Sequence, residues 1–350
     1  DPPQPARLQS LRRAAAIIVV VFLAGAAAIL VHRESANSRA AAHEAYLKGR
    51  EALSAPDHDA AGRARVYLDR AIALDPGYAP ARAALAVALN HAGVAGSSDP
   101  VVSHRQALLA ANEALRLDPS LAEAYVARAT ARLRLEWDWA GAEEDLRKAI
   151  ALDPDYVKPH ETLAQLLVAE GRWREALREL ATARQLDPLS LSLRRDEGVT
   201  LYYGRQYEAA IRQLSAVVEI DPADAIALRF LSDAHLQAGH IAAARDLFVR
   251  WLDLVGVDEA EVERARVILQ EHGFAGIYER VTSGSASKGH YYKRAAAHAA
   301  LGRNRAAVAA LEEAFRGREA QLVHLKTDPQ FDPLRSDRRF ESFLARARFR

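Results

Sequence analysis

The sequence predicts an all-α fold, an array of stacked helical hairpins behind one apolar segment. Three observations predict it. Half of the 350 residues are apolar but only 7% are aromatic, so alanine and leucine carry the hydrophobic content. That mixture suits closely packed helices better than a β-sandwich or barrel. A short triplet then recurs, at Leu74-Asp75-Pro76, Leu117-Asp118-Pro119, Leu152-Asp153-Pro154, Leu186-Asp187-Pro188 and Ile220-Asp221-Pro222, with successive prolines 43, 35, 34 and 34 residues apart. Finally, small and large residues keep fixed registers before each proline. Ala64, Ala107, Ala142, Ala176 and Ala210 form one register; Leu68, Ala111, Leu146, Leu180 and Leu214 a second; Ala71, Ala114, Ala149, Ala183 and Val217 a third.

The elements follow in chain order. Residues 1–13 open Asp1-Pro2-Pro3-Gln4-Pro5 in a chain without Met, and are expected to be a linker from an upstream domain. Ala14 to Val31 carry no charge. As a helix they would reach about 27 Å, near the ~30 Å hydrocarbon thickness of a bilayer, so 14–31 is expected to be a transmembrane helix. A cleaved signal peptide fits less well, because the apolar run is long and a Pro-rich segment precedes it. Arg7, Arg12 and Arg13 before the span nearly balance Arg33, Arg39, Lys48 and Arg50 after it, so charge does not orient it. Residues 32–40 read as a juxtamembrane linker.

Hairpins are expected at roughly 41–74, 79–117, 121–152, 155–186, 189–220 and 223–255, six repeats within 41–255. The second carries extra residues, read as a loop around Gly93 to Pro100. Alanines at helical spacing let two antiparallel helices approach closely, while the large residue between them fills the facing groove. The Asp-Pro pair is read as a boundary, with Asp capping the next helix and Pro in its first turn. Gly171 and Gly239 fall where the first helix of a hairpin turns into the second. One hairpin cannot bury its apolar face alone; stacked neighbours make a continuous core. Residues 256–287 are degenerate and end in the loop Ser283-Gly284-Ser285-Ala286-Ser287. A further hairpin is expected within 288–317, with Ala307, Leu311 and Ala314 at its packing positions. The tail 318–350, with Phe331, Phe340 and Phe343, is expected to cap the end of the stack.

The 34-residue period and its small-residue registers resemble tetratricopeptide (TPR) repeats, which implies a right-handed superhelix. Trp137-Asp138-Trp139-Ala140-Gly141-Ala142-Glu143 and Leu186-Asp187-Pro188-Leu189-Ser190 resemble the TPR sensor halves of bacterial single-pass membrane regulators. So do Leu325-Lys326-Thr327-Asp328-Pro329, Phe331-Asp332-Pro333-Leu334-Arg335-Ser336-Asp337 and Arg339-Phe340. The resemblance covers about 41–350. It implies an upstream winged-helix DNA-binding domain, with a Ser/Thr kinase or a nucleotide cyclase as alternatives, and a TPR half in the periplasm of a bacterial inner-membrane protein. A membrane-tethered TPR scaffold for envelope assembly is the third possibility.

No catalytic chemistry is legible, and no enzyme activity, cofactor or metal is expected. Lys+Arg 47 against Asp+Glu 46 gives a net charge of +1, which argues against direct nucleic-acid contact. Cys 0 excludes disulfides and thiolate sites. His235 and His240, five apart, and His290 and His298, eight apart, are not same-face metal pairs. Asp57-His58-Asp59 reads as a solvated turn, and Glu143-Glu144-Asp145 as a solvated helix face. Trp137, Trp139, Trp173 and Trp251 fall inside repeats and read as packing residues. Gly-rich phosphate loops and a GxSxG elbow are absent from the sequence.

What remains is a surface. In TPR arrays the first helix of each hairpin lines the concave face, along a stripe of residues three and four apart. Here the stripe gives Arg134; Lys158, Glu161 and Gln165; Ser192, Arg195 and Tyr202; Arg229 and Asp233. Its cations and tyrosine suit an extended acidic peptide or a peptide carboxylate, so a protein or peptide partner is expected. The Lys/Asn/Asn/Lys/Arg set with which some TPR domains clamp a terminal carboxylate is not reproduced. Thr162 stands where a clamp asparagine or arginine would be.

Overall fold

In a computed structural model of the chain, residues 33, 35–55, 59–95, 98–284 and 290–347 are described. The expected membrane segment 14–31 lies outside them. Among the described residues no helix is long and apolar enough to cross a membrane, and every regular element is helical.

Six helical hairpins come first. They are α1 (35–53) with α2 (Ala60–Leu74), α3 (Ala79–Ala95) with α4 (Pro100–Leu117), and α5 (Ala122–Leu135) with α6 (Trp139–Leu152). Then follow α7 (Val157–Ala169) with α8 (Trp173–Leu186), α9 (Leu191–Tyr203) with α10 (Tyr207–Ile220), and α11 (Ala225–Gln237) with α12 (Ile241–Leu254). The first helix starts upstream of residue 41, so most of the expected juxtamembrane linker is helical. Ser38 Oγ donates to Leu74 O at 2.6 Å and ties this extension to the end of α2. The degenerate segment is one element, α13 (Glu259–Ser283), kinked where Gly273 takes φ 62°. Next come α14 (Tyr291–Ala300) and α15 (Asn304–Arg316), two 3-10 turns (Ala320–His324 and Pro329–Leu334) and α16 (Arg338–Arg346).

The alanine registers are where the helices meet. Ala64, Ala107, Ala142, Ala176 and Ala210 are all 0% exposed. On the facing helices Gly49 and Gly198 occupy matching close approaches: a Cβ there would fall 2.7 Å from Leu68 Cγ and 2.6 Å from Leu214 Cγ.

The turn inside a hairpin is also repeated. Gly171 and Gly239 take φ +84°, and Arg172 N–H and His240 N–H donate back five residues to Leu167 O and His235 O, both at 2.8 Å. This closure satisfies the last carbonyls of the first helix. In the fifth hairpin Arg205 occupies the left-handed position, at φ 58°. The Asp-Pro pair works differently from the expectation. Asp75, Asp118, Asp153, Asp187 and Asp221 end the preceding helix, each backbone N–H donating to the carbonyl four residues back. The carboxylates of Asp75, Asp118 and Asp221 accept from the N–H two residues on and so form the loop. The next helix is capped by its own residue, such as Ser190 or Asp224.

The C-terminal tail does not sit on the end of the stack. Leu322, Leu325, Phe331, Leu334 and Phe340 are 0% exposed and share one core with α5 to α11. Arg134 Nη1 donates to Ala320 O at 2.6 Å, and Arg318 Nη1 donates to Leu135 O at 2.7 Å. Arg205 pairs with Asp332 at 2.5 Å, and the ring of His324 stacks on that of Tyr203, centroids 4.9 Å apart. The tail is therefore folded against the first helices of the third, fourth and fifth hairpins. Burial of that many large apolar side chains, at about 1.5–3 kcal/mol each, explains the placement.

Candidate functional site

The predicted stripe does not form one open groove. The 3-10 turn Ala320–His324 lies across it and leaves two cavities, both bounded by His324 and Gln165. The larger, of about 690 Å³, is lined from α3 by Asn90 and His91, from α5 by Glu123, Val126, Thr130 and Arg134, and from α7 by Lys158, Thr162 and Gln165. The smaller, of about 330 Å³, is lined by Val168, Arg195, Asp196, Tyr203, Ile226 and Phe230.

Charge distinguishes the two. In the larger cavity Arg50 pairs with Glu123 at 2.7 Å and Lys158 with Glu161 at 2.9 Å, so both pairs are neutral. Arg134 is different. Its hydrogen bond goes to the neutral carbonyl of Ala320, and no carboxylate pairs with it among the described residues. Desolvation alone pushes its pKa down from 12.5 to about 10. The residue keeps intermediate exposure where it lines the cavity. Its charge is felt by two imidazoles. Burial first and Arg134 second push His104 down to about 4 and His324 to about 3, so both are neutral at pH 7. His104 Nδ1 lies 3.1 Å from Asn90 Oδ1, while Asn90 Nδ2 donates to Ala127 O. The buried Nδ1 of His324 has no hydrogen-bond partner among the described residues. In the smaller cavity Arg195 is held by Asp196 at 3.4 Å and Asp224 at 3.1 Å, so among the described lining residues no cation is left over there.

Of the rest of the stripe Tyr202 belongs to the core, while Ser192, Arg229 and Asp233 are partly buried. Tyr202 is 0% exposed, with Tyr203 and Phe230 edge-on to its ring. Arg229 Nε donates to Asp233 at 3.0 Å, and its guanidinium lies 5.3 Å from the Trp251 ring centroid. Nearby, Tyr292 Oη donates to Asp328 at 2.7 Å. Burial, with a smaller push from Asp233, raises Asp328 to about 6. Tyr202 is withdrawn from any concave ligand because it shares one core with the tail residues Phe331 and Leu334, and Arg229 and Asp233 neutralise each other. Spacing within one helix carries no signal of that long-range contact.

Other readings change as well. Asp145 is 2% exposed, clasped by Arg128 through two bonds of 2.6 and 2.9 Å and by Arg132 at 2.8 Å. It is a buried structural anion rather than part of a solvated face, because α5 presents both arginines across the hairpin. Trp137 and Trp139 are 8% and 4% exposed, and Trp137 stacks on Phe315 at 6.2 Å. Asp57 and His58 lie outside the described residues.

Residues 133–193 match the tetratricopeptide-repeat sequence profile. A DnaJ homolog subfamily C member 7 homolog of Schizosaccharomyces pombe is 35% identical over 89 residues, 24% of this chain and 18% of that protein. The chain thus spans about a fifth of the curated relative it matches. Among solved structures, the APC/C hetero-tetramer Cut9-Hcn1 aligns with a TM-score of 0.50 and 16% identity, covering 66% of this chain and 46% of that chain. Pseudomonas aeruginosa pilF aligns with a TM-score of 0.47 and 18% identity, covering 66% of this chain and 99% of that chain. The chain carries a TPR repeat region of the protein-interaction type, matched over 133–193, with an all-helical superhelical fold.

Proposed function

We propose that this TPR region is the membrane-tethered binding half of a bacterial signalling or transcription regulator, and that its larger concave cavity takes an acidic peptide segment of a protein partner. The observation that carries the binding reading is Arg134, a guanidinium lining the cavity that pairs with no carboxylate among the described residues. A buried charge without a counter-ion is costly, and a ligand carboxylate would supply the ion pair that no described residue gives Arg134. The apolar wall of Val87, Val94, Val126 and Leu133 gives the flanking side chains a dry surface. Tethering and the periplasmic side are supported by the uncharged run Ala14 to Val31 and by the sequence resemblance in the tail motif.

Calorimetric titration with a hexapeptide bearing two glutamates, against its glutamine counterpart, tests the cavity. The acidic peptide should bind at least about tenfold tighter, a difference of ~1.4 kcal/mol, and should weaken as salt rises. Equal affinity for the two peptides refutes an anion-selective cavity. Alkaline extraction of membranes from cells producing the whole chain tests the tether: recovery in the soluble fraction refutes it.

A further inference from the structure

The turn between α11 and α12 brings together two histidines that their spacing holds apart. Five residues along one helix put side chains on different faces, but α11 ends at Gln237 and Gly239 reverses the chain at φ +84°. His240 N–H donates to His235 O at 2.8 Å, closing the turn. The two imidazoles then converge, with Nδ1 of His235 3.2 Å from Nδ1 of His240 and ring centroids 5.4 Å apart. The same five-residue closure pairs Leu167 with Arg172, Leu201 with Gln206 and His298 with Arg303. Of these turns this one has an imidazole at both ends.

We propose that His235 and His240 form a two-histidine chelate for a borderline divalent cation of the Zn²⁺ class. The Nδ1 separation carries this. Two nitrogens at about 2.0–2.1 Å from one tetrahedral metal ion stand ~3.3–3.4 Å apart, so the observed spacing needs an adjustment of only a few tenths of an ångström. Without a cation, one shared proton can serve the pair in a single tautomer, and two protonated rings would repel. A metal ion uses both lone pairs at once. Glu208 of α10 supplies the outer contact, its Oε1 3.7 Å from Nε2 of His240. A carboxylate on the Nε2 side of the ring leaves Nδ1, the nitrogen that faces His235, as the one turned toward the cation. His240 is 47% exposed in its side chain, which leaves room for water to complete the coordination. Among the described residues no three His, Asp or Glu side chains are grouped to hold a metal ion. The site therefore has two protein ligands and an affinity expected in the micromolar range. Imidazole ligands select Zn²⁺, Cu²⁺ and Ni²⁺ over Mg²⁺ and Ca²⁺. The peptide cavity is formed by other helices and is not involved.

Titration of the whole chain with ZnCl₂ in a non-chelating buffer tests the site. One equivalent should bind with micromolar affinity, and MgCl₂ should give no heat. His235→Gln and His240→Gln should each weaken Zn²⁺ binding at least about tenfold, and Glu208→Gln by a smaller factor. Both histidines are partly or largely exposed, so circular dichroism and the melting temperature should be unchanged by either substitution. Zn²⁺ binding retained in the double variant places the metal at other histidines and overturns the proposal. So does a chain that binds Zn²⁺ no better than Mg²⁺.

Discussion

Replacing Arg134 by methionine separates a binding arginine from a structural one. Methionine keeps much of the length and apolar stem of the side chain while removing the guanidinium. The charge carries a desolvation penalty: displacement of the pKa from 12.5 to about 10 corresponds to ~3 kcal/mol at ~1.4 kcal/mol per unit. Intermediate exposure on the cavity side discounts this to about 1–2 kcal/mol. Against that stands the lost bond to Ala320 O, worth ~1.5–3 kcal/mol for a charged donor. The two nearly offset, so Arg134→Met should lie within about 1 kcal/mol of wild type, a shift of a few degrees in melting temperature. An arginine in a buried pair behaves otherwise, since breaking such a pair costs ~3–5 kcal/mol. Arg195→Met, which removes the cation facing both Asp196 and Asp224, should be clearly the less stable of the two variants. The sign of the pH effect follows from a depressed arginine pKa. The penalty is present at every pH below about 10 and is relieved only above it, so near neutrality the difference from wild type should not change with pH. Urea unfolding at two pH values measures stability, and titration with the diglutamate peptide measures binding. Affinity should fall about ten- to a hundredfold. A loss of 3 kcal/mol or more in stability, or an unchanged peptide affinity, would falsify the assignment of Arg134 as an anion anchor awaiting its ligand.

Two further outcomes concern buried carboxylates. Asp328 is raised from 3.8 to about 6 by burial, so the folded state favours its protonated form, and stability should be lost as pH rises from about 4 through 6. Asp328→Asn keeps an oxygen for the Gln330 N–H and should remove ~2–3 kcal/mol of that loss; urea midpoints at pH 4.5 and 7.5 that change equally in both proteins would contradict this. Asp145→Ala leaves Arg128 and Arg132 without their shared anion and should cost ~3–5 kcal/mol, and a thermal melt within two degrees of wild type would show that the clasp contributes little.

The hairpins were legible because every signal for them is local. A proline every 34 to 43 residues, an alanine twelve before it and, in two hairpins, a glycine at the turn are local marks, and each acts within its own hairpin. Ala142, Ala176 and Ala210 accordingly lie at 0% exposure where the registers place them. The functions of single residues inside those signals were less legible. Asp in the Leu-Asp-Pro triplet was read as the cap of the next helix, yet its backbone N–H ends the previous one, because both roles leave the same letter in the same place. Helical spacing separates His235 from His240, a rule that fails wherever a left-handed glycine such as Gly239 stands between the two residues.

The candidate site was legible only on the side that the repeats build. Arg134, Lys158 and Gln165 were placed on one concave wall by periodicity, and they do line one cavity. Tyr202 satisfies the same periodicity and is buried in one core with a tail more than a hundred residues further along the chain. Nothing in a 34-residue repeat encodes what a non-repeating tail does, so periodicity alone cannot distinguish a lining residue from a core residue. Composition could have raised the question. Phe331, Phe340 and Phe343, with Leu322, Leu325 and Leu334, are a large apolar load for about thirty residues. A cap at the end of a stack meets one hairpin, whereas burying that load takes several. The concave face of a superhelix is the surface that several hairpins share, so a tail rich in large apolar residues is driven inward, and the binding surface that remains is what the tail leaves uncovered. In this chain that remainder is the part of the groove lined by Arg134, whose hydrogen bond goes to the Ala320 carbonyl and which pairs with no carboxylate among the described residues.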